Sequence, residues 1–179
     1  MSVLALTLAS SYAALPCARP THARLQGLQC FWEAAAHEAG GLPRRRQFAF
    51  EAMAPWLGHV AVWAVERAPL RFKATLIGTR LVDWDGCDGT GRYLDEIISP
   101  AHRDAALARY VTVATSATWY TDIVRFLAPR TTTATLHRLL LPCTDDRGTN
   151  RIRDTAHGAR DAAHGIRVDQ IITAIFRDD

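Results

Sequence analysis

The sequence has little lysine, no paired cysteines and no long apolar run, and each absence excludes a class of protein. Lys73 is the only lysine among 21 basic residues, and the net charge is +3, so no broad basic surface for nucleic acid is indicated. No stretch approaches the roughly 20 apolar residues that a membrane helix needs. The cysteines are scattered without a Cys-x-x-Cys pair, which indicates neither a disulfide framework nor a structural zinc site; they are Cys17, Cys30, Cys87 and Cys143.

The composition indicates one globular domain. Hydrophobic residues make up 49% and charged residues 22% of the 179 positions, which is typical of a chain that buries its own core. The first residues are apolar but lack the basic stretch that opens a secretory signal. We therefore expect a loosely ordered arm over 1–21, a single domain over 22–179, a cytoplasmic location, and no nucleic-acid or membrane partner.

The most distinctive segment is 77–98, which contains Gly78, Gly86, Gly89 and Gly91. Glycine adopts backbone conformations closed to other residues, so this density predicts a winding connection instead of one long helix or strand. Apolar residues recur within the segment, so it must also pack onto a core. A buried, winding connection is suited to wall a pocket, and we expect Trp84 and Tyr93 to line it.

Apolar periodicity predicts three helices. Leu25, Leu28, Phe31 and Trp32 form a stripe at helical spacing, which Gly40 ends. We interpret this stripe as the surface through which the chain dimerises or docks onto a signalling partner. The predicted helices are 22–39, a short buried helix within 48–57, and 101–117.

Strand patterns complete an α+β arrangement with five antiparallel strands and helices on one side of the sheet. In the second strand, alternation places Leu70, Phe72, Ala74 and Leu76 on one buried face. A sheet curved around a helical crossover leaves a small cavity between sheet and helices. The predicted strands are 59–65, 70–77, 119–127, 133–141 and 168–176, with a turn at Asp145–Gly148.

Seven short motifs lie in order within residues 28–176: Phe31-Trp32, Leu42 to Arg44, Ala54 to Val60, Ile77 to Val82, Thr90 to Glu96, Leu139 to Pro142 and Val168 to Ile172. Together with the order of elements they resemble the PAS domain, and in particular the stand-alone alphaproteobacterial PAS family known as PAS_5. The resemblance implies a five-stranded antiparallel sheet with a helical crossover and an N-terminal helix. It also implies a sensory module that binds a small ligand or a partner protein. The ligand pocket implied by the crossover comprises Arg80, Trp84, Cys87, Gly89 and Tyr93.

The chain departs from this family at two places. Gly89 stands where the family usually carries a bulky apolar residue, a change that we expect to open or loosen the pocket wall. Residues 151–167 form an insertion before the last strand. It contains a short repeat in which His157 and His164 each stand three residues after an aspartate. Two histidines and two aspartates could bind a metal, but we favour a solvent-exposed loop and predict no metal site.

Catalytic and cofactor motifs are not evident. Asp83, Asp85 and Asp88 do not fit a calcium loop, because Asp88 and Leu94 occupy the positions where such a loop requires glycine and glutamate. Helix capping and turn hydrogen bonds fit these acids better. Cys87 does not lie in a flavin-reactive motif. His102 is the one candidate axial ligand for haem, and a solvated position suits it better, so the cofactor is left unknown.

Two alternatives to a non-enzymatic sensor stay open. One is a small enzyme on a cone-shaped α+β fold with an acid–base His/Asp pair in its cleft, for which Asp83, His102 and Asp122 are the best available residues. The other is an interaction scaffold that binds no ligand. The predicted core faces carry almost no titratable groups, so we predict no catalytic residue.

Overall fold

A computed structural model of the chain describes residues 13–127, 133–145 and 167–178. The repeat within the predicted insertion, and most of the turn predicted at Asp145–Gly148, lie outside the described residues. The described helices are α1 (Ala23–Ala39), α2 (Thr79–Asp85), α3 (Leu94–Ile97) and α4 (Pro100–Ser116), with 3-10 turns at Arg45–Gln47 and Ala54–Trp56. The described strands are β1 (Ala13–Pro16), β2 (Val60–Arg67), β3 (Leu70–Ile77), β4 (Tyr120–Leu127), β5 (Thr133–Cys143) and β6 (Gln170–Arg177).

The strands form one antiparallel sheet in the order β1-β4-β5-β6-β2-β3. The mixed helix-and-sheet class is therefore α+β, as predicted. The sheet has six described strands because Ala13–Pro16, predicted as part of a loose arm, pairs with β4 from Ala13↔Arg125 to Pro16↔Asp122. Four residues are too few to show a strand period in the sequence, and the pairing comes from an open sheet edge that supplies hydrogen-bond partners.

Helices cover both faces of the sheet, which corrects the prediction of helices on one side. The crossover α2–α4 covers one face, called here the crossover face, over Trp63, Phe72 and Leu140. Helix α1 and segment 45–57 cover the other, called here the α1 face, over Val62, Leu139 and Ile172. A central strand covered on both faces carries apolar residues at successive positions, as β6 does: residues 171–176 are all buried.

The N-terminal helix forms as predicted and ends at Gly40, whose φ of 65° is left-handed and whose N–H donates to the carbonyls of Ala36 and His37. Its stripe is not a docking surface in this structure. Leu25 and Leu28 are fully buried against the α1 face and Trp32 is 8% exposed, while the Trp32 Nε1–H donates to the carbonyl of Pro142 at 2.8 Å. An apolar stripe has the same spacing whether its own sheet or another chain covers it.

Phe31, the fourth residue predicted for docking, is half-buried. Its ring stacks on Trp56 at 5.9 Å and meets Phe48 edge-on at 5.4 Å. The stripe therefore joins α1 to segment 45–57 within the same chain.

Segment 45–57 is not the short helix that its apolar spacing predicted. It forms two separate 3-10 turns, with Phe48 and Met53 buried and Phe50 73% exposed. Pro55 lies at the start of the second turn, where its missing N–H is compatible with a first turn but not with a helix that continues through it.

A β-bulge changes which face Leu76 occupies. Trp63 pairs with Ala74 but Val62 pairs with Leu76, so Thr75 is an extra residue in β3. Phe72 and Ala74 face the crossover as predicted. Leu76 instead lies with Val62 on the α1 face, and it is 43% exposed. Leu70 was also predicted to be buried, but it is 37% exposed because it lies at the first position of the strand.

The glycine-rich connection folds back along the outer edge of β3. Gly91 donates its N–H to the carbonyl of Ala74 at 2.8 Å, and Ala74 donates to the carbonyl of Arg92 at 2.9 Å. Gly91 has a φ of 86°, which side chains disfavour. The predicted winding connection thus lies against a strand edge.

Candidate functional site

The five residues predicted to line a pocket in the crossover lie in different surroundings. Trp84 is half-buried and meets the ring of His59 edge-on at 5.3 Å, whereas Cys87 and Arg80 are exposed. Tyr93 is half-buried: the Arg71 guanidinium sits 3.5 Å from its ring centroid, and its hydroxyl donates to Glu66 at 2.9 Å. These residues belong to one segment but their side chains point to different surroundings.

Gly89 closes the crossover instead of opening it. A Cβ at this position would lie 2.7 Å from Cδ1 of Ile97 and 3.0 Å from Cδ1 of Ile77. The missing side chain therefore lets the connection pack tightly on two buried isoleucines. The expectation of a loosened pocket wall is wrong, because the space left by the missing side chain is filled by neighbouring methyl groups.

One of the acids in this segment has the turn role that was predicted. The Oδ1 of Asp88 accepts a hydrogen bond from the backbone N–H of Thr90 at 2.9 Å. Side-chain and backbone hydrogen bonds from Thr90 lower the pKa of Asp88, because they stabilise its ionised form.

A cavity of about 200 Å³ lies on the α1 face, between segment 45–57 and the strands β2, β3 and β6. Segment 45–57 supplies one wall of the cavity. Residues of β2 and β6, together with Leu76 of β3, supply the other. Arg45 is the only charged residue of the lining. The remaining lining residues are apolar: Phe48, Ala49, Phe50, Met53, Leu57, Val60, Val62, Leu76 and Ile172.

Hydrogen bonds of Arg45 and Thr144 fix the start of the segment that lines this cavity. The N–H of Arg45 donates to the carbonyl of Thr144 at 2.9 Å, and the N–H of Thr144 donates to the carbonyl of Pro43 at 3.0 Å. The Nη1 of Arg45 donates to the carbonyl of Phe48 at 2.6 Å. The segment is therefore tied to the end of β5, and its arginine side chain is held beside the apolar wall.

Cys143 lies close to this arginine but is not a nucleophile. It is fully buried, and burial raises the pKa of its thiol to about 12. The positive charge of Arg45 opposes that rise. Since the thiolate is the reactive form of cysteine, Cys143 stays a protonated core residue at neutral pH.

A second polar arrangement lies beside the start of α1. Thr21 Oγ1 is 2.9 Å from Nδ1 of His137, and Nε2 of His137 is 2.8 Å from Oδ1 of Asp178. The ring of Phe176 is stacked between His22 at 4.7 Å and His59 at 4.3 Å. Sequence reasoning missed His137, because its partners are 116 and 41 residues away and no spacing connects them.

The residues predicted for acid–base chemistry have other surroundings. Asp122 is 1% exposed, accepts a hydrogen bond from Nε of Arg138 at 2.8 Å and forms an ion pair with Nε of Arg109 at 2.9 Å. These ion pairs join β4 to β5 and α4, which is a structural role. Asp83 is exposed on α2, and His102 is half-buried in the first turn of α4.

Neither a cluster of metal ligands nor a membrane-spanning helix is found in the part of the chain that the structure describes. No group of three His, Cys, Asp or Glu residues there could hold a metal ion. No helix there has the length and apolar character needed to cross a membrane.

Comparisons with known proteins give no relative. No protein-family model matches the chain, and neither a curated protein nor a solved structure matches it.

Proposed function

We propose that this chain is a non-enzymatic, PAS-like sensory or interaction module that binds a small ligand in the cavity on the α1 face. The observation that carries this proposal is the cavity itself: about 200 Å³, apolar walls and one cationic side chain. Ligand pockets are typically concave and mostly apolar, with few polar groups that orient the ligand.

The order of elements supports the PAS-like part of the proposal. Two strands, a helical crossover and three strands follow one another along the chain, as in the pattern that carries the resemblance. The first and last of these strands, β2 and β6, pair with each other inside the edge strands of the sheet. The added strand β1 and the helix α1 lie outside this series of elements.

A ligand in this cavity would act on α1 by shifting the population of two arrangements. Segment 45–57 forms one wall, and it contacts α1 through the stacked rings of Phe31 and Trp56. Trp56 also donates its Nε1–H to the carbonyl of Arg24 at 2.6 Å. A ligand that holds the segment against the sheet therefore favours one position of α1, whose outer face a signalling partner or a second copy would contact.

The proposal is tested by placing a charge in the cavity wall. We expect Leu76→Asp to weaken binding of an apolar probe, octan-1-ol, at least about tenfold in an NMR titration, because the carboxylate would have to be desolvated beside the ligand. Leu70→Asp is the matched control, since Leu70 is 37% exposed on the same strand and outside the lining. Equal binding by both variants would place the probe elsewhere. No binding by the unmodified chain would favour the ligand-free scaffold.

A second candidate function is a small hydrolytic enzyme, favoured by the contacts of Thr21, His137 and Asp178. A hydroxyl next to a histidine that is held by a carboxylate is the arrangement of an activated nucleophile. We would test it with p-nitrophenyl acetate, whose hydrolysis should then fall to the uncatalysed rate in Thr21→Ala. A rate unaffected by Thr21→Ala and by His137→Gln would exclude this candidate.

A further inference from the structure

The charge distribution around the cavity distinguishes one kind of ligand from others. The walls are aliphatic and aromatic, so they offer a ligand no polar side-chain partner except Arg45. A ligand with a second polar group would lose its hydration there without a replacement. A ligand with one apolar body and one polar end therefore fits this cavity.

Arg45 determines the sign of that polar end. Its side chain is half-buried, and within the described residues its one side-chain hydrogen bond goes from Nη1 to the carbonyl of Phe48. A guanidinium has five N–H donors in a planar fork that matches a carboxylate. Two acids, Asp145 and Asp169, act on the same buried Cys143 as Arg45 does. Asp169 accepts from Nε of Arg167 at 2.6 Å, so a described cation compensates its charge, and Asp145 also has a partner.

The size of the cavity limits the apolar body. At roughly 30 Å³ for each water-sized group, a volume of about 200 Å³ holds about six or seven such groups. An unbranched chain of about seven carbons, counted beyond the carbon that bears the polar group, therefore matches the cavity in size.

We infer that the cavity binds a short- to medium-chain monocarboxylate, with its tail against Val62, Leu76 and Ile172 and its carboxylate paired with Arg45. This inference rests on the proposed function and adds the chemical class of the ligand. A carboxylate on a guanidinium forms charge-assisted hydrogen bonds, which are stronger than those of a neutral hydroxyl. The arginine thereby distinguishes an acid from an alcohol of equal chain length.

The experiment compares octanoate with octan-1-ol, using the full chain and following both titrations by NMR. We expect octanoate to bind at least about tenfold more tightly than the alcohol. In Arg45→Gln that preference should disappear while octan-1-ol binds as before. Arg46→Gln is the control, because it removes the same charge from the adjacent exposed position outside the lining, and it should keep the preference.

The other outcomes separate the two proposals. Equal affinity for octanoate and octan-1-ol would overturn the monocarboxylate assignment and leave the proposed function standing. An equal loss of preference in Arg46→Gln would also overturn it, since a diffuse positive field would then explain the selectivity. If neither probe binds, the ligand site of the proposed function fails together with this inference. Arg45→Lys keeps the charge without the fork, so partial recovery of the preference supports the pairing even if Arg45→Gln folds poorly.

Discussion

The two faces of the sheet are packed by different means. On the crossover face, buried ion pairs around Asp122 and a hydrogen bond of 2.9 Å between Tyr110 and Thr173 accompany tight apolar packing, in which Gly89 leaves no room for a methyl group. On the α1 face, segment 45–57 makes single turns and leaves a cavity. The difference shows that glycine density and pocket formation are separate properties. The glycine-rich segment packs tightly at Gly89, whereas the segment without a regular helix borders the cavity.

The largest expected effect comes from breaking the polar network of the crossover face. Asp122→Ala would remove the buried carboxylate with which both Arg109 and Arg138 form ion pairs, and removing one partner of such a pair costs about 3–5 kcal/mol. We expect a corresponding fall in the free energy of unfolding, measured with urea. The exposed Asp83→Ala should change it by less than about 0.5 kcal/mol. A loss below about 1 kcal/mol in Asp122→Ala would show that the arginines are solvated.

An intermediate effect is expected where the crossover face is most closely packed. Gly89→Ala would bring a methyl group to within 2.7 Å of Ile97, and overpacking of this kind costs about 1–3 kcal/mol. The control is Gly41→Ala, because no atom lies within 4 Å of a Cβ built there. Thermal unfolding of the two variants compares them directly. Equal stability would mean that the isoleucine side chains move away freely.

The smallest expected effect concerns pH and the border of the α1 face. Burial lowers the pKa of His59 from its ordinary 6.5, and the charges of Arg24, Arg80 and His22 act in the same direction. The folded state therefore binds fewer protons than the unfolded state, so the contribution of His59 to stability is complete above pH 6.5 and is lost as the pH falls below it. Urea midpoints at pH 7.5 and 5.5 should differ less in His59→Gln than in the unmodified chain. An unchanged difference would assign the pH dependence to other histidines.

The class of fold could be predicted because helix and strand patterns depend on residues that are close together along the chain. The strand at 70–77 has the predicted bounds, and α1 ends at the glycine that marked its end. The face of Leu76 could not be predicted, since the bulge is a property of pairing with β2. Burial of the α1 stripe depends likewise on the sheet that covers it.

The candidate site was the least predictable part of the molecule. Its walls combine segment 45–57 with residues of three strands, the last of which contributes Ile172. Hydrophobic periodicity identifies these residues as core but does not show where two layers fail to meet. Arg45 could not be identified as part of the site, because nothing in its neighbours along the chain indicates that its side chain lies beside a cavity.

The hydrogen bonds that Gly91 and Arg92 make with Ala74 have a consequence for how the protein behaves at high concentration. Unpaired strand edges are templates on which other chains add strands and aggregate. The folded-back segment occupies part of one border of the sheet, and the four-residue β1, which ends in Pro16, forms the other. We expect the glycine-rich segment to prevent fibre formation by covering this edge. Loss of its hydrogen bonds to Ala74 would therefore promote cross-β assembly before it altered any ligand affinity.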